Sequence, residues 1–326
     1  MRSIKEGSSF SDLLIVLVKV IMVMSVIFFI AHCDNNVTGP DDSDEEDISE
    51  DTTVVSNVIY GGVRSSSYGI YPFPSPSEWE EAMDTIASYF KGSDPCGIWI
   101  VGVMGGQKTC RLEFPSDGLN HKNISFHQFD KHESHLSHFD NQGIKVFLQV
   151  EPADADIQEL IDIVLEKYGH HPCVAGFGID VEWYRVSENP GWGIPVKDDS
   201  AQTWEQKVKS YNEDYKLFLK HWDRRWMPDN YRGDMIFVDD SQGFNTFTDF
   251  IDEMTNYWAD YFSPNTVFFQ VGYSRDQSWW QYLDNPPYDI GVALADRVDQ
   301  NCGVFWVDFT LQDVIQLSSI TKITGY

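Results

Sequence analysis

The chain has 326 residues, with 51 Asp or Glu against 23 Lys or Arg and a formal net charge of −28 at pH 7. Such an acidic chain repels phosphate backbones, so nucleic acid is not an expected partner and a neutral polymer such as a polysaccharide fits better. The charge is unevenly placed, with +1 over residues 1–33, −9 over residues 34–53 and −20 over residues 54–326.

Residues 1–33 begin with a short stretch carrying Arg2 and Lys5 and continue into the apolar run LLIVLVKVIMVMSVIFFIA, broken only by Lys19 and Ser25. This reads as a signal or anchor segment, not as part of a folded domain. It ends in IAHC, which resembles a bacterial lipoprotein processing box with Cys33 as the lipidated residue, although His32 is bulky where small residues are usual. An uncleaved transmembrane anchor and an ordinary signal peptide are the alternatives. The expected location is therefore outside the cytoplasm, at a membrane. Residues 34–53, DNNVTGPDDSDEEDISEDTT, hold nine acids and no basic or aromatic residue. Such a segment cannot bury enough apolar surface to offset its ordering entropy and reads as an acidic tether.

From residue 54 to 326, short apolar runs alternate with amphipathic segments. The expected strands are 54–63, 96–104, 144–150, 173–183, 234–240, 266–273 and 302–309. Helices are expected in PSEWEEAMDTIASYF, DIQELIDIVLEKYG, AQTWEQKVKSYNEDYKLFLKHW, FTDFIDEMTNYWADYF and IGVALADRVDQ, with Gly169 as a C-terminal cap. This order predicts a one-domain (β/α)8 barrel, with an open doubly wound α/β sheet as the alternative. Seven strands are visible, and the eighth is expected between Tyr273 and Cys302. Cys96, Cys173 and Cys302 precede strands that are not expected neighbours, so these and Cys110 read as buried free thiols.

In VAGFGIDVEWY, alternation puts Ala175, Phe177, Ile179, Val181 and Trp183 on one face and Gly176, Gly178, Asp180 and Glu182 on the other. One face is greasy; the other is small and then acidic, as expected of a barrel strand opening into a polar pocket at its C-terminal end. The other strand ends supply Gln149 and Glu151, Asp239 and Asp240, Gln270 and Tyr273, and Trp306 and Asp308. Carboxyls to protonate a glycosidic oxygen, amides for hydroxyls and aromatics for sugar faces together suit carbohydrate chemistry.

AGFGIDVEWY resembles the fourth-strand signature of glycoside hydrolase family 18, the chitinases and endo-β-N-acetylglucosaminidases, with the pattern Asp-Gly-x-Asp-x-Asp-x-Glu. Gly176, Asp180 and Glu182 match, whereas Ala175 and Gly178 replace the first two aspartates. QVGY resembles the family's Gln and Tyr at Gln270 and Tyr273, and Trp306 stands where the family keeps a tryptophan beneath the sugar. The third strand departs, with LQVEPAD in place of Ser-x-Gly-Gly. The resemblance implies substrate-assisted retaining hydrolysis of N-acetylglucosamine-containing glycans. Glu182 would be the general acid, Asp180 would orient the 2-acetamido group that attacks the anomeric carbon, and Tyr273 would help hold it. Gln149, Glu151, Asp239, Asp240, Gln270 and Trp306 would bind substrate, with no cofactor and no metal. Two other readings stand beside it: a catalytically inactive glycan-binding barrel, favoured by the missing acid at 178, and a glycosidase for sugars without an acetamido group. A scheme with Asp308 as nucleophile is weaker, because Asp308 follows an apolar run.

HKNISFHQFDKHESHLSHFD carries five histidines, with His132, His135 and His138 three apart. That spacing drifts around a helix, so a solvated or interfacial face is expected in preference to a metal site. GVMGGQKT lacks the Gly-Lys-Ser/Thr ending of a phosphate loop and is set aside.

Overall fold

The computed structural model describes residues 57–106 and 108–317, so the expected anchor, Cys33 and the acidic tether lie outside the described residues. The strands are β1 (Val58–Ser65), β2 (Asp94–Met104), β3 (Cys110–Leu112), β4 (Ile124–Phe126), β5 (Lys145–Val150), β6 (Val174–Asp180), β7 (Lys216–Lys220), β8 (Ile236–Asp239), β9 (Val267–Val271) and β10 (Cys302–Val307). The main helices are α1 (Pro76–Ser88), α2 (Glu133–Gln142), α3 (Ile157–Tyr168), α4 (Asp198–Tyr211), α5 (Phe247–Asp252) and α6 (Pro286–Ala295).

Eight strands pair in parallel in the order β1-β2-β5-β6-β7-β8-β9-β10, and β10 pairs back onto β1. The sheet is closed, so the fold is a (β/α)8 barrel and not an open doubly wound sheet. The short β3 runs antiparallel to the end of β2 and pairs with β4 outside the barrel.

The eighth strand is not where the spacing places it. Residues between Tyr273 and Cys302 form a short helix, Gln277–Trp280, and then α6. The missing strand is β7, hidden in the tail of the expected helix AQTWEQKVKSYNEDYKLFLKHW. That helix stops at Tyr211, and Asp214 N–H donates to Asn212 Oδ1 at 3.0 Å, an Asx turn that breaks the helical run. The following KLFLK alternates. Leu217 and Leu219 join the layer packed under the helices, while Phe218 belongs to the barrel interior.

That interior is filled by Cys96, Ile98, Phe147, Phe218, Ile236, Val238, Phe268 and Phe305, with Tyr60 against them. Phe147 meets Phe268 edge to face with centroids 5.3 Å apart. The barrel is thus plugged below, and polar residues gather above the plug at the strands' C-terminal ends. Helix starts follow local chemistry. Glu78 accepts from the backbone N–H of Ser75 at 2.7 Å before α1, and Asp156 accepts from Glu159 N–H at 3.0 Å at the start of α3, which Gly169 closes as expected. All four described cysteines are buried free thiols.

Candidate active site

The mouth of the barrel is built on one buried cation that sequence reasoning missed. Lys220, at the end of β7, is only 3% exposed, and its Nζ lies 2.9 Å from Asp180 Oδ2, 2.5 Å from Asp240 Oδ2 and 3.9 Å from Glu182 Oε2. Three acids from two different strand ends therefore share one ammonium. Gln149 Nε2 also donates to Asp180 Oδ2, at 3.3 Å.

β6 ends at Asp180, and Val181–Trp183 form a single 3-10 turn, so Glu182 is presented by a turn and not by strand alternation. Phe177 and Ile179 pack outward as expected. Ala175 packs against the interior instead, because the β5–β6 register slips at that end of the strand. Burial separates the acids: the Glu182 side chain is 25% exposed, against 1% for Asp180 and 5% for Asp240. Glu182 is the carboxyl among the three that a ligand reaches first.

Burial pushes the Glu182 carboxyl up to about 8; Lys220 opposes this, and Asp240, Asp180 and Glu151 add to it. Asp180 is also raised, by burial first. Its ion pair with Lys220 pulls the other way, but burial and the neighbouring Asp240 outweigh it. Burial pulls the Lys220 ammonium down, yet Asp180 and Asp240 hold it well above its usual range, so it stays charged. At neutral pH the cluster therefore keeps a proton on Glu182.

A second network, also missed in the sequence, closes the opposite side of the mouth. Arg64, at the end of β1, donates to Asp308 Oδ1 at 3.1 Å and to Tyr68 OH at 2.7 Å. Tyr68 OH in turn donates to Glu151 Oε1 at 2.5 Å, while Glu151 Oε2 accepts from Met104 N–H at 2.8 Å. Both oxygens of Glu151 are engaged, so it positions Tyr68. Asp308 is held as well: its Oδ2 accepts from Ser66 N–H at 2.6 Å and Ser66 Oγ at 2.7 Å, and the side chain is buried. Burial and these bonds count against it as a nucleophile. The rings of Tyr68 and Phe309, 48% and 45% exposed, flank the Arg64 guanidinium and form the mouth's exposed aromatic surface on that side.

The remaining expected residues divide. Tyr273 OH donates to Gln270 Oε1 at 3.1 Å, and burial keeps this phenol protonated. Gln149 Oε1, Gln270 Nε2, Asp180 Oδ1 and Asp240 Oδ1 are buried with no hydrogen-bond partner, which leaves unmet donors and acceptors just below the mouth. Two expectations are corrected. Trp306 is fully buried and faces out of the barrel, its indole N–H on Thr310 Oγ1 at 3.0 Å and its ring against Trp280, so it offers no face to a sugar. Asp239 follows Val238, which points inward, and so turns outward, accepting from Ser241 N–H at 2.8 Å. Gly178 faces inward, but a Cβ there would lie 2.0 Å from Cζ of Phe218. The Phe218 ring fills the space that an acid at 178 would need.

His132, His135 and His138 make three separate contacts and do not converge. His132 Nδ1 accepts from Trp99 Nε1–H at 3.0 Å, His135 Nε2 lies 3.0 Å from Pro74 O, and His138 Nε2 lies 2.6 Å from Glu80 Oε2. His132 and His135 are buried, not solvated; burial drives the His132 imidazole down to about 3 and keeps it neutral. A cavity of about 720 Å³ opens at the other end of the barrel, lined by Tyr60, Lys145, Lys216 and Asp234. There Asp234 pairs with both Lys209 and Lys216 and Lys145 donates to Pro172 O, and the described lining holds no cluster of acids like the one around Lys220, so the chemistry points to the mouth.

No protein-family model matches the sequence, and no curated protein matches it significantly. Among solved structures, the chain is similar to a proposed alpha-L-fucosidase from Bacteroides thetaiotaomicron VPI-5482, with a TM-score of 0.48 and 12% identity over 82% of this chain and 91% of that one. It is also similar to TsXylA, an intracellular xylanase from Thermoanaerobacterium saccharolyticum JW/SL-YS485, with a TM-score of 0.32 and 12% identity over 82% of this chain and 93% of that one.

Proposed function

We propose that this chain is a glycoside hydrolase that cleaves glycans by acid catalysis, with Glu182 as the proton donor. The observation that carries this reading is the partly exposed Glu182, its carboxyl raised by burial, beside a buried Asp180–Lys220–Asp240 cluster. A general acid must hold its proton at working pH and reach the leaving oxygen; a carboxyl raised by burial on a side chain still 25% exposed supports that role for Glu182. Asp180 and Asp240, each with one unpartnered buried oxygen, are the groups we assign to stabilise the positive charge that develops at the anomeric carbon.

The substrate we infer is a glycan with a 2-acetamido sugar, as the likeness of AGFGIDVEWY to family 18 implies. Glu182 gives its proton to the glycosidic oxygen as the C1–O bond breaks, and the acetamido carbonyl oxygen attacks C1. Asp180 Oδ1 accepts the acetamido N–H, and the resulting oxazolinium is opened by water that loses its proton to the Glu182 carboxylate. With the space of an acid at 178 filled by Phe218, Lys220 is the charged partner of Asp180. The apolar run ending at Cys33 and the acidic tether support action outside the cytoplasm at a membrane surface, which mass spectrometry of the purified N-terminus tests through a lipid on Cys33.

The Phe218 ring at position 178 also favours a second reading, a barrel that binds glycan without cleaving it. One experiment separates the two. The full-length chain in detergent and its Glu182→Gln variant are compared on chito-oligosaccharides, N-glycans and plain glucans, with product release and binding both recorded. Turnover of an acetamido sugar by the wild type alone, with binding kept in the variant, supports the hydrolase. Turnover that Glu182→Gln leaves unchanged overturns the acid assignment, and binding without turnover in both establishes the receptor.

A further inference from the structure

Outside the mouth, Glu133 and Asp140 stand two turns apart on one face of α2, and the connection from α3 to β6 lays His171 between them. Asp140 Oδ2 is 2.6 Å from His171 Nδ1, and Asp140 Oδ1 accepts from the N–H of Cys173 at 2.8 Å. A carboxylate on Nδ1 fixes the proton there and aims the Nε2 lone pair the other way, the arrangement that orients metal-bound histidines. His171 is only 4% exposed, and its Nε2 has no hydrogen-bond partner, although Glu133 Oε1 lies 3.4 Å away.

The unpartnered, buried Nε2 of His171 and Glu133 Oε1, which sits on a side chain 43% exposed and takes only a long bond of 3.4 Å from Ser137 Oγ, are two electron-rich atoms that a cation between them would satisfy. Their separation suits one ion in particular. Two ligands of a tetrahedral zinc with bonds of about 2.0–2.1 Å stand about 3.4 Å apart. A third ligand is at hand in His170, whose ring centroid is 4.1 Å from that of His171. One ligand atom each from Glu133, His170 and His171 falls within 4.8 Å of the other two. His170 is exposed, so its side chain is free to close the remaining gap.

We propose that Glu133, His170 and His171 form a zinc site, with Asp140 as the positioning residue behind His171 and water in the fourth position. Two imidazoles and a carboxylate are a borderline donor set that suits zinc. Lys167 competes weakly: it is 3.7 Å from the other oxygen of Glu133 but pairs mainly with Asp130, at 2.9 Å. Cys173 groups with Asp140 and His171 but is no rival ligand. Its thiol is held up by burial and points at Leu136 O, 3.6 Å away. Such a metal would tie the start of α2 to the connection entering β6, the strand that carries Asp180.

The test is calorimetric titration of the EDTA-stripped full-length chain with zinc chloride at pH 7.5, beside His170→Ala, Glu133→Gln, Asp140→Asn and the control His138→Ala. The expected result is one strong equivalent, weakened at least tenfold in the first three variants and unchanged in the control, with zinc raising the unfolding temperature of the wild type but not of His170→Ala. Because His170 is exposed, its truncation leaves the fold intact and the comparison interpretable. Absence of a strong equivalent, or an affinity that His170→Ala and Glu133→Gln leave within twofold of wild type, would overturn the site and leave His171 as a structural bridge between Glu133 and Asp140.

Discussion

Lys220→Met keeps the length and apolar stem of the side chain and removes the charge on which the mouth is built. At an effective dielectric constant of about 20, its pairs with Asp180 at 2.9 Å and Asp240 at 2.5 Å are worth roughly 6 and 7 kcal/mol, and the one with Glu182 at 3.9 Å roughly 4 kcal/mol. The variant does not lose that total, because a buried carboxylate stripped of its counter-ion takes up a proton instead. Protonating a carboxyl of ordinary pKa near 4 costs about 5 kcal/mol at pH 8 and about 1 kcal/mol at pH 5, and this sets the ceiling. The expected destabilisation is about 3–5 kcal/mol at pH 8, the usual cost of removing one partner from a buried ion pair, falling to about 1 kcal/mol at pH 5. The direction follows from linkage. Orphaned carboxyls have folded pKa values above their unfolded ones, so the penalty is full at high pH and disappears as pH falls. Urea unfolding of both proteins at pH 8, 6.5 and 5 measures this. Equal midpoints at pH 8, or a deficit that grows toward pH 5, would refute the electrostatic account.

Three further outcomes follow from the same geometry. Because Glu182 must be protonated to act and burial holds it near 8, hydrolysis falls as pH rises above about 8. In Lys220→Met, where the opposing cation is gone, that limb moves to higher pH; an unmoved limb assigns it to another group. Gly178→Asp, which restores the acid of the resembled motif, lowers activity and stability instead of raising them. The new side chain meets the Phe218 ring, an overpacking cost of about 1–3 kcal/mol read by thermal unfolding, and Phe218→Ala in the same chain relieves the clash. Phe309→Ala raises KM by roughly 2- to 10-fold through loss of a stacking face, whereas Trp306→Phe lowers the melting temperature and leaves KM unchanged. A KM effect confined to Trp306 would return the sugar platform to that residue.

Much of the barrel was legible because parallel strands buried on both faces are written as short apolar runs between amphipathic helices. The carboxylates at the strand ends were legible for the same reason, as polar residues that interrupt a greasy run. Face assignments failed where alternation was not applied. Trp306 was placed beneath the sugar by the family resemblance, yet Phe305 is the residue of that strand inside the barrel, and Asp239 was listed with Asp240 as a strand-end acid although neighbouring residues face opposite ways. The turn at Val181–Trp183 was invisible, since nothing in IDVEWY distinguishes two more strand residues from one 3-10 turn. His171 was passed over because its partners, Glu133 and Asp140, lie more than 30 positions away.

β7 was hidden for a different reason: KLFLK follows a helix closely and its two lysines read as a helix's polar face. An argument from charge would have found it. The strand ends offered Glu151, Asp180, Glu182, Asp239, Asp240 and Asp308 to one mouth, and so many carboxylates cannot be buried together without cations among them. Only a basic residue at the C-terminal end of an inward-facing strand position can serve. In a chain so poor in Lys and Arg, the candidates are few: Arg64 closes β1, and Lys220 closes the alternation Lys216, Phe218, Lys220. The structure uses both, Arg64 for Asp308 and Lys220 for Asp180 and Asp240. Of the three acids around Lys220, Glu182 lies farthest from it, at 3.9 Å, and burial pushes its carboxyl up to about 8.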